Sequence, residues 1–236
     1  MARLLPKCQS SLQRARIQLS AYIALLIAVL PVSQSATGDA VRAEQARLNA
    51  CIETSQEDPE TALEDSLRWL GEGARPAARY CNAMALLGLE NYREAAVRLE
   101  ELANAPDAGG LTDRAVYLAQ AGNAWLIGGY PDASIVALSD ALKIAPEDAD
   151  ILTDRAAAYL GTGQVDKAMA DLDQALTLRP NFVDALQMRA SAHLEKDDLQ
   201  AAEADINKAL VLDGDNIDTL VLRGDIREAK RLAEED

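Results

Sequence analysis

Residues 149–182 read ADILTDRAAAYLGTGQVDKAMADLDQALTLRPNF, a pair of apolar-periodic stretches that closes on Pro180. Moving 34 residues in either direction from this segment finds its columns again. Pro146, Pro180 and Gly214 form one column, and Leu118, Leu152, Leu186 and Leu220 form a second. Trp125, Tyr159 and His193 form a third; Leu138, Leu172 and Ile206 a fourth; Ala141, Ala175 and Ala209 a fifth. A period of this length held at five places marks an array of stacked supersecondary units rather than a single globular core. Small residues at Gly122, Ala156 and Ala190 allow the two helices of a unit to approach closely, with large residues filling the space beside them. Pro146 and Pro180 end one hairpin and turn the chain into the next. Each hairpin leaves an apolar face that only a neighbour can cover, so the units must stack.

At these columns the sequence resembles the tetratricopeptide repeat. The family's large, small, aromatic, small, apolar, Ala and Pro places read Leu118, Gly122, Trp125, Ser134, Leu138, Ala141 and Pro146 in the first unit. In the second they read Leu152, Ala156, Tyr159, Ala168, Leu172, Ala175 and Pro180. The third reads Leu186, Ala190, His193, Ala202, Ile206, Ala209 and Gly214, departing at the aromatic and at the terminal Pro. The resemblance implies an all-α fold, a right-handed superhelical solenoid of antiparallel hairpins. Three regular repeats are expected at residues 115–148, 149–182 and 183–216, and a capping helix at 217–236. Residues 36–110 hold degenerate hairpins, with Ala43–Thr54 and Pro59–Leu70 as one pair and Ala77–Ala105 as another. The loop Pro106-Asp107-Ala108-Gly109-Gly110 separates them from the regular array.

Composition agrees with a helical solenoid. Of the 236 residues 49% are hydrophobic but only 4% aromatic, so the core has to be built from Ala, Leu, Ile and Val at close helix contacts. The formal charge is −15. The four basic residues of the first 35, Arg3, Lys7, Arg14 and Arg16, stand in a segment with no acid; the remainder sets 19 Lys and Arg against 38 acids, or −19. So acidic a surface repels phosphate backbones, which excludes nucleic acid as an expected partner.

The first 35 residues read as a secretory signal peptide. A basic stretch precedes the apolar run Leu19–Leu30, followed by Pro31 and the small-residue sequence Ser33-Gln34-Ser35-Ala36, with cleavage expected after Ser35. Twelve residues span roughly 18 Å as helix, short of a ~30 Å hydrocarbon core, so no stable membrane insertion is expected after cleavage. The expected destination is the periplasm. An uncleaved helix would instead make the protein a membrane-tethered assembly factor.

Cys51 and Cys81 are the cysteines beyond the signal, and export permits a disulfide between them; two buried thiols are the alternative. His193 is the single histidine, with no second ligand nearby, so it reads as a packing residue in the aromatic column. Asp213-Gly214-Asp215-Asn216-Ile217-Asp218 lacks an oxygen ligand at Ile217 and a closing Glu at Gly224, so it reads as a turn and helix N-cap rather than a calcium loop. Arg155, Arg189 and Arg223 recur at the same 34-residue spacing with Asp150, Asp184 and Asp218 five places earlier, a pattern expected to form a ladder of exposed ion pairs between stacked helices; recruitment of these arginines by a partner's carboxylate is the alternative. No nucleophile with a base, phosphate loop or metal-ligand spacing is present, so no catalytic, cofactor or metal residues are expected.

Projecting the family's groove-lining places onto this chain gives Val116, Asn123, Leu126, Ile127, Asp150, Thr153, Leu160, Asp184, Gln187 and Leu194. The family's carboxylate clamp needs Lys and Arg there; only Asn123 is present, and Asp184 stands where the clamp has Lys. The resemblance therefore implies an interaction scaffold or adaptor whose partner is a protein or peptide with basic and apolar character, not a small molecule. A non-catalytic subunit of an envelope enzyme complex is the other reading.

Overall fold

A computed structural model describes residues 38–235, all of whose regular structure is helical. The segment read from sequence as a signal peptide, residues 1–35, lies outside the described residues. Residues 38–50 are helical, with an exposed Arg42–Asp39 ion pair.

The unit from Cys51 onward is the array. Its helices are α1 (51–57), α2 (Pro59–Glu72), α3 (Pro76–Gly88), α4 (Tyr92–Asn104), α5 (Leu111–Ile127), α6 (Pro131–Ile144), α7 (Ala149–Leu160), α8 (Val165–Leu178), α9 (Val183–Glu195), α10 (Leu199–Leu212) and α11 (Ile217–Glu235). From α2 on, each packs against the next, and α5, α7, α9 and α11 also touch one another in succession. The odd-numbered helices therefore make one wall of the array and the even-numbered ones the other.

Local chemistry explains where these helices start and stop. Pro59, Pro76 and Pro131 open helices at the position where a missing N–H costs nothing. Asp58, Asp148 and Asp198 cap helices by accepting from Thr61, from Asp150 and Ile151, and from Ala201 backbone N–H groups. Within each hairpin from α3 on, the turn passes through one left-handed residue: Glu90, Gly129, Gly163 or Asp197. At φ 59° Glu90 and Asp197 adopt it without glycine's freedom, a local strain.

The 34-residue columns are the core. Leu138, Leu172 and Ile206 are fully buried, as are Ala141, Ala175 and Ala209. Gly122 is there because a Cβ would lie 2.4 Å from Cγ of Leu138, so the α5–α6 contact leaves no room for one. The 34-residue period ends at the 106–110 loop. Counted back from Leu138, the matching fully buried leucine of α4 is Leu99, 39 residues earlier.

Cys51 and Cys81 are joined by a disulfide with Cα atoms 5.8 Å apart, both side chains buried. The bond ties α1 to α3. Nearby, Asn82 Nδ2 donates to Ser66 Oγ at 3.0 Å across the α2–α3 contact.

Candidate functional site

Along the odd-numbered wall a gap lies between α5 and α7, a cavity of about 300 Å3. Its apolar lining comes from Leu111, Val116, Ala119, Ile144 and Ile151, with Asp148, Asp150 and Asp154 along the α7 side. Val116 and Leu111 are exposed, so the apolar surface is open to a ligand.

Asp154 is the distinctive group. Asn123 Nδ2 on α5 donates to its Oδ2 at 2.8 Å across the gap. Burial holds the Asp154 carboxyl above the ordinary carboxylate range, and the negative charges of Asp150, Asp148 and Asp184 push in the same direction, against the stabilising Asn123 bond. Among the described residues no cation is bonded to it. Asp150, by contrast, is bonded to Arg179 at 2.6 Å, and the Arg179 guanidinium sits 3.6 Å from the Phe182 ring centre. A cationic group entering the cavity would relieve the repulsion that Asp154 now bears.

The groove positions expected from sequence divide into three sets. Val116, Asn123 and Asp150 line the cavity. Leu126, Leu160 and Leu194 do not project freely, being half-buried against the core clusters at the ends of their helices. Thr153 is a correction: it is buried, and its hydroxyl donates to the Ala149 carbonyl at 2.8 Å. The adjacent Asp154 takes the groove side instead, because one step along a helix rotates a side chain by about 100°. Gln187 is engaged with Asn216 and Thr219 across the α9–α11 contact. Ile127 is 64% exposed at the end of α5, outside the cavity, and Asp184 is exposed on α9.

The arginine column does form a ladder of ion pairs between stacked helices, as expected, but with other acids and shielded rather than exposed. Arg155 and Arg189 do not pair with acids five places earlier. Arg155 binds both oxygens of Asp171, at 2.7 Å each, and Ser139 at 3.2 Å. Arg189 binds both oxygens of Asp205, at 2.7 and 2.8 Å, and Asp173 at 2.7 Å. Each arginine thus has one partner 16 residues before it and one 16 after it, on the even-numbered helices either side. Asp171 and Asp205 are only 9% and 10% exposed, so these pairs are largely shielded from water. Hydrogen bonding to the carboxylates raises both guanidinium pKa values.

His193 lies 3.7 Å from Asp198 and 3.9 Å from Asp205, mostly buried and beyond hydrogen-bond range. Among the described residues no group of three or more His, Cys, Asp and Glu could hold a metal. Asn216 caps α11 by accepting from the Thr219 N–H at 3.1 Å. A second cavity of about 300 Å3 opens near Leu67, Leu70, Arg79 and Arg98, where Arg79 is already paired with Asp107 and Arg98 with Glu94 and Glu101.

Comparison with known proteins places this geometry. The tetratricopeptide repeat family model matches residues 149–182 and 183–216. Among solved structures, a thermophilic TPR protein of Thermus thermophilus shares 27% identity, covering 79% of this chain and 98% of that one, with a TM-score of 0.56. MamA from Desulfovibrio magneticus RS-1, from residue 41 to its end, shares 21% identity over 75% of this chain and 96% of that one, with a TM-score of 0.61. No curated protein sequence matches the chain. Residues 149–216 carry two tetratricopeptide repeats, and the fold is that of a helical repeat solenoid.

Proposed function

We propose that this protein is an exported interaction scaffold that holds a partner segment with apolar and basic side chains against the α5–α7 wall. The observation that carries this reading is the pairing of an open apolar surface with Asp154, a carboxylate whose bonded partner among the described residues is the neutral Asn123 amide. An apolar anchor would be buried against Val116, Ala119 and Ile151, and a Lys or Arg beside it would sit against Asp154. The partner is a peptide or an extended protein segment, since the cavity is a stretch of a longer wall rather than a closed pocket. Acids on the rim would speed the encounter with a basic segment and make binding sensitive to salt.

The Cys51–Cys81 bond suits an oxidising compartment, which supports export and, with the signal-like first 35 residues, a periplasmic location. No helix among the described residues is long and apolar enough to cross a membrane. On this reading the mature chain starts at Ala36, and N-terminal sequencing of exported material checks it: an intact Met1 would favour the tethered form.

The binding reading is tested with a set of synthetic peptides sharing one apolar centre, flanked by Lys, by Glu or by Ser. The Lys-flanked peptide should bind best, weaken as salt is raised, and lose most of its affinity to the Val116→Asp variant. Equal binding of the Glu-flanked peptide would remove the proposal.

A further inference from the structure

The arginine column has a third member whose surroundings differ from the first two. Arg155-Ala156 on α7 faces Asp171-Leu172 on α8, and Arg189-Ala190 on α9 faces Asp205-Ile206 on α10. In each case the acid binds the guanidinium while the aliphatic residue and the small residue are fully buried. Gly122 and Leu138 show the same 16-residue offset for the small-and-large contact. On α11 the corresponding pair is Arg223-Gly224. No described residue is bonded to Arg223, and a Cβ placed on Gly224 would meet nothing within 4 Å. Instead of turning back as the earlier odd-numbered helices do, α11 runs on as one helix to Glu235.

The rest of the same face is open too. On α7 the face carrying Ala149, Thr153 and Ala156 is buried. Its equivalents on α11 are Ile217, 74% exposed, Val221, 59% exposed, and the open Gly224. The opposite side of α11 is fixed to the array by buried Ile226 and Thr219 and by a 2.6 Å bond from Lys230 to Glu203. So α11 is a docked first helix of a hairpin whose partner-facing side is exposed, apolar at Ile217 and Val221, with Arg223 beside a notch at Gly224 and the exposed Arg227 and Glu228 one turn further on.

We infer that this face binds an amphipathic helix of another protein that carries an Asp followed by Leu or Ile. The Asp would take Arg223 and the aliphatic residue would enter the notch over Gly224, completing a hairpin between two chains. The chemistry of the occupant is set by the two filled copies of the same site in this molecule. A second copy of this chain is a poor occupant, because its Asp171-Leu172 and Asp205-Ile206 pairs are already buried in its own array. This site is separate from the α5–α7 groove, and its occupant differs: an acidic helix rather than a basic segment.

The probe is a side-chain-crosslinked helical peptide with the sequence of residues 199–212, LQAAEADINKALVL, labelled for fluorescence anisotropy against the whole chain. Saturable binding is expected. It should weaken at least about tenfold when the peptide's Asp is changed to Lys or when the chain carries Arg223→Glu, and recover when the two changes are combined. Gly224→Leu supplies the second variant: with open space for its side chain it should raise the melting temperature of the chain while abolishing peptide binding. Absence of binding, or binding indifferent to Arg223→Glu and Gly224→Leu, overturns the inference. So does a concentration-dependent dimer that Arg223→Glu dissociates and the peptide does not, since the face would then belong to a second copy.

Discussion

The two ends of the array are held together by different chemistry. From α5 to α10 the units repeat at 34 residues, and each Arg155 or Arg189 clamps carboxylates or a hydroxyl on two flanking helices. From α1 to α4 the fastenings are of other kinds. The same fold is secured there by the Cys51–Cys81 bond, the Ser66–Asn82 hydrogen bond, and Trp125 reaching back from α5 to Glu100 at 2.8 Å. In a solenoid each unit contacts only its neighbours, so a local fastening secures its own interface and little else. A covalent bond and an ion-pair ladder can therefore do the same job at different places.

Breaking each fastening should expose that division. Closing a loop of 30 residues restricts the unfolded chain by roughly 3.5 kcal/mol, so changing Cys51 and Cys81 together to Ala should cost about that much. Hydrogen exchange should then rise in α1 to α3 while α7 to α10 stay protected; uniform loss of protection would mean the array unfolds as one unit. Asp205→Ala removes the two charge-assisted bonds of the shielded pair, leaving Arg189 with Asp173 alone, and should cost about 2 kcal/mol by denaturant melts. Its exchange pattern should be the reverse, loosening α9 to α11 first.

Two smaller changes sharpen the comparison. Asp154→Asn should raise stability at neutral pH by up to ~1 kcal/mol. Because the folded-state pKa of Asp154 is raised above its unfolded value, ionisation opposes folding, and the gain should vanish as pH falls below the ordinary carboxylate range. The same substitution should weaken binding of a Lys-flanked peptide, so stability and affinity would move in opposite directions. Asp197→Gly removes a side chain from a left-handed turn and should add ~0.5–1 kcal/mol; Gly163, the equivalent turn 34 residues earlier, already has the glycine.

Much of this architecture is legible in the sequence. Columns such as Leu138, Leu172 and Ile206 declare the hairpins because buried large residues must recur wherever the helix contacts recur. The N-terminal hairpins keep the hydrophobic pattern but lose the period, since the 106–110 loop shifts the register by five residues. What the one-dimensional pattern hides is direction. Asp150 and Asp171 are both near Arg155 in sequence, yet only the second faces it, because facing depends on how α8 folds back over α7. Thr153 and Asp154 likewise differ by one position and by which side of the helix they occupy. A periodicity of side-chain type fixes neither to the groove.

The most direct test of the account is amide chemical-shift mapping of the isotopically labelled chain during titration with the Lys-flanked apolar peptide. The account predicts saturable shifts clustered at Val116, Ala119, Asn123, Ile151 and Asp154, and their loss in Asp154→Asn. Shifts confined to α1–α4 or to α11, or a groove response that Asp154→Asn leaves unchanged, would contradict it.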